Sequence, residues 1–190
     1  MPSAITSDVC PHLSALNRIA GDTCDDWITS DVARRHIILF GTAKFAAGLV
    51  IGFGLGVYFL PILTAEKGLD SDVLIELQAS AECSGTFMRD LPGSDAFHWG
   101  DGIVRIRDDR IWLEGQVSPG PDYRLYLTPS FADDEASFLA IKAKSVEIGM
   151  IKAFTNFSIA VPDGVDVGTF PAILIWCEAF GQFITAAELS

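Results

Sequence analysis

The chain is poor in the residues from which most active sites are assembled. It holds four cysteines and three histidines in 190 residues, and past the long apolar run only His98, Cys83 and Cys177 remain. Cations are scarce too: 13 Lys and Arg stand against 25 Asp and Glu, a net charge of -12. Proteins that hold phosphates by displacing counterions need clustered Lys and Arg, so the composition speaks against nucleic acid as a partner. No G-x-S-x-G elbow aims a serine, and no glycine-rich loop follows a strand to cradle phosphates. A calcium loop needs oxygen ligands alternating around a glycine. Asp108-Asp109 and Asp133-Asp134-Glu135 lack that pattern and read as solvated turns. There is no internal repeat and no low-complexity stretch.

What the chain does have is hydrophobicity, 49% of residues, with a mean hydropathy of +0.34. A positive average on so acidic a chain implies that the two properties occupy different segments. Residues 45–65 are 21 residues without a charge, enough for the roughly 20 that cross a bilayer as a helix. Arg34, Arg35 and Lys44 precede this span, and Lys67 is the one basic residue before Arg89. The positive-inside rule therefore places the N-terminus in the cytoplasm and the C-terminal part outside. The expected organisation is a cytoplasmic tail (1–40), a single transmembrane helix (41–65), a juxtamembrane linker with a short helix (66–83) and a periplasmic domain (84–190) of a bacterial inner-membrane protein. A cleaved signal is the rival: the 44 residues before the apolar run are too many for an ordinary one, while Arg34-Arg35 suits a twin-arginine signal.

Gly48, Gly52 and Gly56 recur every four residues and so line one helix face, a double GxxxG. Such a stripe lets helix backbones approach, which points to a membrane-protein partner or a second copy as well as the bilayer. In the tail, Cys10, Pro11, His12 and Cys24 match no zinc spacing and read as free thiols and a lone histidine in a reducing compartment.

Beyond the span, glycines and prolines punctuate short aromatic and β-branched runs, the pattern of an all-β sandwich-like domain. Expected strands are 84–89, 103–107, 111–117, 123–128, 157–161 and 172–178, after a short helix around 71–80. Tyr123, Leu125 and Leu127 alternate cleanly, whereas Ala172-Ile173-Leu174-Ile175-Trp176-Cys177 is apolar on both faces. The latter predicts a central strand covered on each side, with Cys177 on the face of Ile173 and Ile175.

Few residues here suggest chemistry. Cys83 and Cys177 are the only cysteines of the exterior domain, and an oxidising compartment permits them to pair or to remain separate thiols. A redox role for Cys177 needs thiolate character and access, which the negative charge of neighbouring Glu178 opposes. Packing as a small buried hydrophobe is the competing reading. His98, with Cys177 or with Met88 or Met150, offers a thin ligand set for haem or copper; a satisfied loop histidine is the plainer alternative. From Glu66 onward 20 acidic residues face 9 basic ones, a net of -11, which suits either solubility or steering of a basic partner.

Ordered motifs over about 84–189 resemble the DM-thirteen family, the "electron transfer DM" domain. Gly85-Thr86-Phe87, then His98 and Gly100-Asp101-Gly102, resemble its opening strand and histidine-glycine stretch. Gly120-Pro121-Asp122 leading into Tyr123-Arg124-Leu125-Tyr126-Leu127 is similar to its GPD strand. Pro162 with Val165-Asp166, then Ile175-Trp176-Cys177-Glu178-Ala179-Phe180 and Ala187-Glu188-Leu189, resemble its C-terminal signature. Asn156-Phe157-Ser158-Ile159 departs from the family's Gly-x-Gln-x-Tyr stretch. The resemblance implies a β-sandwich whose hallmark cysteine, here Cys177, takes part in redox or electron transfer. Two readings follow: a membrane-anchored redox domain centred on Cys177, with His98 a second participant, or a non-enzymatic accessory subunit of a respiratory or photosynthetic membrane complex. Soluble ligand binding by the sandwich is a third.

Overall fold

The computed structural model describes the backbone of residues 12–190 and the side chains of residues 34–190. Cys10 and Pro11, and the side chains of His12 and Cys24, lie outside the described residues. The chain divides after Phe53 into two compact units, the second running from Gly54 to Ser190.

Helix α1 spans His12–Thr64, so its backbone begins well upstream of the apolar run. Its 31-residue segment Arg34–Thr64 is long and apolar enough to cross a membrane; at 1.5 Å per residue it extends about 46 Å, against about 30 Å of hydrocarbon. The short helix expected near 71–80 is α2 (Ser71–Gln78).

Two antiparallel four-stranded sheets follow. The first, in the order β1-β2-β3-β6, joins Cys83–Phe87, Gly100–Arg107, Arg110–Val117 and Ser158–Ala160. The second, β5-β4-β7-β8, joins Val146–Met150, Tyr123–Thr128, Ala172–Cys177 and Gln182–Glu188. All six expected strands are present, 123–128 with the expected ends and the other five with shifted ones, and β5 and β8 are additional. The two-residue turn at Asp108-Asp109 closes the β2–β3 hairpin, where Arg107 pairs with Arg110 and its guanidinium grips Asp109 at 2.6 Å.

The inward faces meet in one core containing Phe87, Val104, Ile111, Leu113, Leu125, Ile173, Ile175 and Cys177. The outer face of the second sheet is covered by α3 (Glu135–Ile141), which Asp134 and Ser137 start with a reciprocal capping box. Beneath it Phe138, Leu174, Trp176, Phe183 and Ala186 form a second cluster. β7 is therefore apolar on both faces because both are covered: Ile173, Ile175 and Cys177 look into the sandwich, Leu174 and Trp176 toward α3. On the outer face of the first sheet, fully buried Trp112 donates Nε1–H to Glu114, to which Gln78 of α2 also donates.

Antiparallel pairing sorts the loops. The connections β1–β2, β3–β4, β5–β6 and β7–β8 gather at one end, and the remaining three at the other. The segment leaving α1 joins the first of these ends, where Glu66 N–H donates to the Lys152 carbonyl and Leu69 N–H to that of Asn156.

Candidate functional site at the end of β7

Cys177 is the last residue of β7, opposite Tyr123 on β4 and Gln182 on β8. Its side chain is 1% exposed, and the thiol donates to the Pro121 carbonyl oxygen at 3.0 Å. The Glu178 N–H donates to the Asp122 carbonyl at 3.1 Å. The Gly-Pro-Asp turn and the Trp-Cys-Glu strand end, 56 residues apart in sequence, thus meet at one site. Each turn residue has a physical reason: Gly120 lies against the Tyr123 ring with no room for a Cβ, Pro121 offers its carbonyl to the thiol, and Asp122 adopts a positive φ of 51° while gripping Arg124 at 2.7 Å.

Opposing influences act on the sulfur. Burial pushes the Cys177 thiol pKa up and wins, while the backbone N–H groups of Phe180 and Ala179 pull it down. The Asp122 and Glu178 charges add to the upward push. The resting group is a thiol, not a thiolate, at neutral pH. Tyr123, 1% exposed, has its phenol pushed up to about 12 by burial, against the pull of Ser118 at 3.4 Å. Ser118 in turn exchanges hydrogen bonds with the backbone of Trp99, receiving its N–H at 3.2 Å and donating its own N–H to the carbonyl at 2.9 Å.

His98 lies on the neighbouring β1–β2 loop, its Nδ1 2.9 Å from Asp95, whose Oδ1 also accepts the N–H groups of Phe97 and His98. Burial raises the Asp95 pKa, but the contacts with the His98 ring and these N–H groups outweigh it and hold the carboxyl below its usual range. Beneath α3, Tyr126 Oη donates to Glu178 at 2.5 Å, and Lys142 reaches the same carboxylate at 2.7 Å. Glu178 therefore anchors α3 to the strand end. Sequence reasoning treated it only as a charge beside the thiol, because its partners lie on separate elements.

Of the two readings of Cys83 and Cys177, a bridge or separate thiols, the structure has the second: both residues are free. Cys83 starts β1 beside Ser84, which pairs with Ser190 beyond the far end of β8, whereas Cys177 pairs with Gln182 at its near end. The seven residues from Gln182 to Glu188 alone span about 20 Å, far beyond the roughly 7 Å that a disulfide tolerates between Cα atoms. A haem or copper ligand set is not assembled either. Among the described residues no three His, Cys, Asp or Glu side chains converge, the His98 ring turns to Asp95, and the Cys177 thiol is occupied by Pro121. Met88 and Met150 are half-exposed and line separate depressions. The residues present do not fit a resident metal centre built on His98. Gly48, Gly52 and Gly56 have open space where a Cβ would stand, as do Gly41 and Gly54 off the stripe.

Fold and site define an antiparallel β-sandwich with a guarded cysteine at one loop end, following a helix able to span a membrane. The family model described as Electron transfer DM13 matches residues 90–189, just over half of the chain, and the chain belongs to that family. The match begins at Asp90, so the β1 motif Gly85-Thr86-Phe87 lies outside it. No curated protein and no solved structure matches the chain.

Proposed function

We propose that the protein is a membrane-anchored, periplasmic electron-transfer domain whose redox residue is Cys177. The observation that carries this reading is the meeting of the Trp-Cys-Glu strand end with the Gly-Pro-Asp turn, where the Pro121 carbonyl accepts the Cys177 thiol at 3.0 Å. A cysteine that merely fills a core needs no polar partner; here the backbone N–H groups of Ala179 and Phe180 also pull the thiol pKa down against burial, the direction that favours negative charge on sulfur, in a thiolate or an oxidised sulfenate. The Pro121 carbonyl and the hydrophobic surround hold the resting thiol neutral. Anchoring rests on the Arg34–Thr64 segment, and the inner-membrane orientation on Arg34, Arg35 and Lys44 preceding the span.

The test is exposure of the full chain in detergent to hydrogen peroxide with dimedone present. Peroxide takes two electrons from the thiolate, leaving Cys–SOH and hydroxide, and dimedone traps the product. Mass spectrometry is expected to find the adduct at Cys177 in excess over Cys83. An adduct at Cys83 alone, or at Cys177 only after unfolding, refutes the redox reading.

The open glycine stripe of α1 supports a second reading, an accessory subunit docked in a larger membrane complex. It requires a stoichiometric membrane partner retained in mild detergent and lost in Gly52→Leu. A monomer indifferent to that substitution excludes it.

A further inference from the structure

The chain leaving α1 and two exposed aromatic side chains coincide at the end of the sandwich that carries Cys177. Thr64 closes α1, and two residues later, at most about 7 Å of chain, the Glu66 N–H is bonded to Lys152 on the β5–β6 loop. That loop belongs to the Cys177 end, since Ile151 N–H donates to the Tyr123 carbonyl and Tyr123 pairs with Cys177. On the adjoining loops two aromatic side chains stand in water: Phe97 is 67% and Phe180 62% exposed. Both ride on braced turns. Asp95 accepts the Phe97 N–H at 2.7 Å, and Phe180 caps the short β7–β8 hairpin closed by the Cys177–Gln182 pair.

Charge is distributed to match. At this end Glu66, Asp70, Asp101, Asp122 and Glu178 each face a Lys or Arg at 2.7–3.7 Å, and Asp95 faces His98; Asp72 and Asp90 form no ion pair among the described residues. At the opposite end Glu82, Asp108, Asp163, Asp166 and Glu188 form no ion pair among the described residues. More of the carboxylates are therefore paired at the end that follows the helix than at the opposite end, where of the loop carboxylates Asp109 is held by Arg107. An anionic lipid surface repels unpaired carboxylates, while aromatic side chains settle at the boundary between headgroups and acyl chains.

We infer that the Cys177 end of the sandwich rests on the bilayer surface, with Phe97 and Phe180 set in its interfacial layer. The domain then stands on the membrane rather than swinging free on its linker. This rests on the reading that α1 crosses the bilayer. It also narrows the redox proposal, because a reactant of Cys177 approaches along or out of the lipid phase and not from bulk solvent.

The test places the photoreactive residue p-benzoylphenylalanine in turn at Leu55, Phe97, Phe180 and Asp163. Each full-length variant is reconstituted in vesicles of phosphatidylcholine and phosphatidylglycerol and irradiated. Leu55 in the helix reports the span, and exposed Asp163 on the β6–β7 loop reports the far end. Lipid adducts at Leu55, Phe97 and Phe180, each at least tenfold above Asp163, are expected. Adducts at Leu55 alone overturn the inference and leave the anchor standing. Equal adducts at Asp163, or protein–protein adducts replacing lipid at Phe97 and Phe180, overturn it as well. Absence of an adduct at Leu55 removes the span and the inference with it.

Discussion

Tyr123 shows how burial at one residue becomes a property of the whole domain. Its phenol, buried beside Gly120 and the Cys177 thiol, is held neutral with a pKa of about 12, above the roughly 10 of an unfolded tyrosine. A folded pKa raised in this way stabilises the fold fully below pH 10, and that contribution disappears as the pH climbs to about 12. Two pKa units correspond to about 2–3 kcal/mol. The parent is therefore expected to lose thermal stability steeply over this window, and Tyr123→Phe to lose less. Tyr126, pushed up by burial and by its hydrogen bond to Glu178, supplies a remaining slope in both. Thermal melts of the two proteins from pH 9 to 12.5 decide; superimposable curves would show that Tyr123 is not the group responsible.

At the level of elements, stability depends on close approaches that tolerate no added atoms. Gly102 of β2 and Gly115 of β3 face each other across the hairpin at φ of 130° and 155°. A Cβ on either would overlap the opposing strand, on the carbonyl of Glu114 or of Asp101 respectively. Gly115→Val combines that overlap with a backbone conformation that L-residues avoid, so it costs more than about 1 kcal/mol. Trp176 tests the second cluster. Removing a fully buried indole between β7 and α3 costs about 3–5 kcal/mol, and Trp176→Ala is expected to lower the midpoint of chemical unfolding accordingly. A loss below about 1 kcal/mol would mean that α3 is not a working lid on the second sheet.

Across the whole molecule, a helix able to span a membrane is joined to a domain carrying nearly all of the negative charge. A span of this kind inserts as an integral element, so full-length protein expressed in bacterial cells is expected to remain in the pellet after alkaline carbonate treatment. Release into the supernatant would argue for peripheral attachment or for cleavage after the twin-arginine pair.

Alternation alone made Tyr123, Leu125 and Leu127 legible as a strand face, and the unbroken apolar run 172–177 legible as a doubly covered strand. Other elements left weaker marks. In β8, Ala186 and Ala187 are too small to signal burial by themselves; they are buried because β7 and β1 press on them. β5 is interrupted by Gly149, and α3 is too short for a helical period to emerge. The cysteines illustrate the limit most sharply: two cysteines in one domain leave pairing open, and only the direction of β8 shows that they sit at opposite ends. Likewise, nothing in the order of residues says that Pro121 receives the Cys177 thiol, since that meeting depends on the register of β4 against β7.

The sequence by itself determined where the hydrophobicity lies, that the domain after the apolar run is a β-sandwich, and which family motifs it carries, because periodicity, span length and motif order are local properties of the chain. The tertiary structure decided which of those motifs meet, that Cys177 is guarded and unbridged, and that the loops around it share an end with the segment leaving the helix. Those are consequences of strand direction and register, which arise only when two sheets close over a common core.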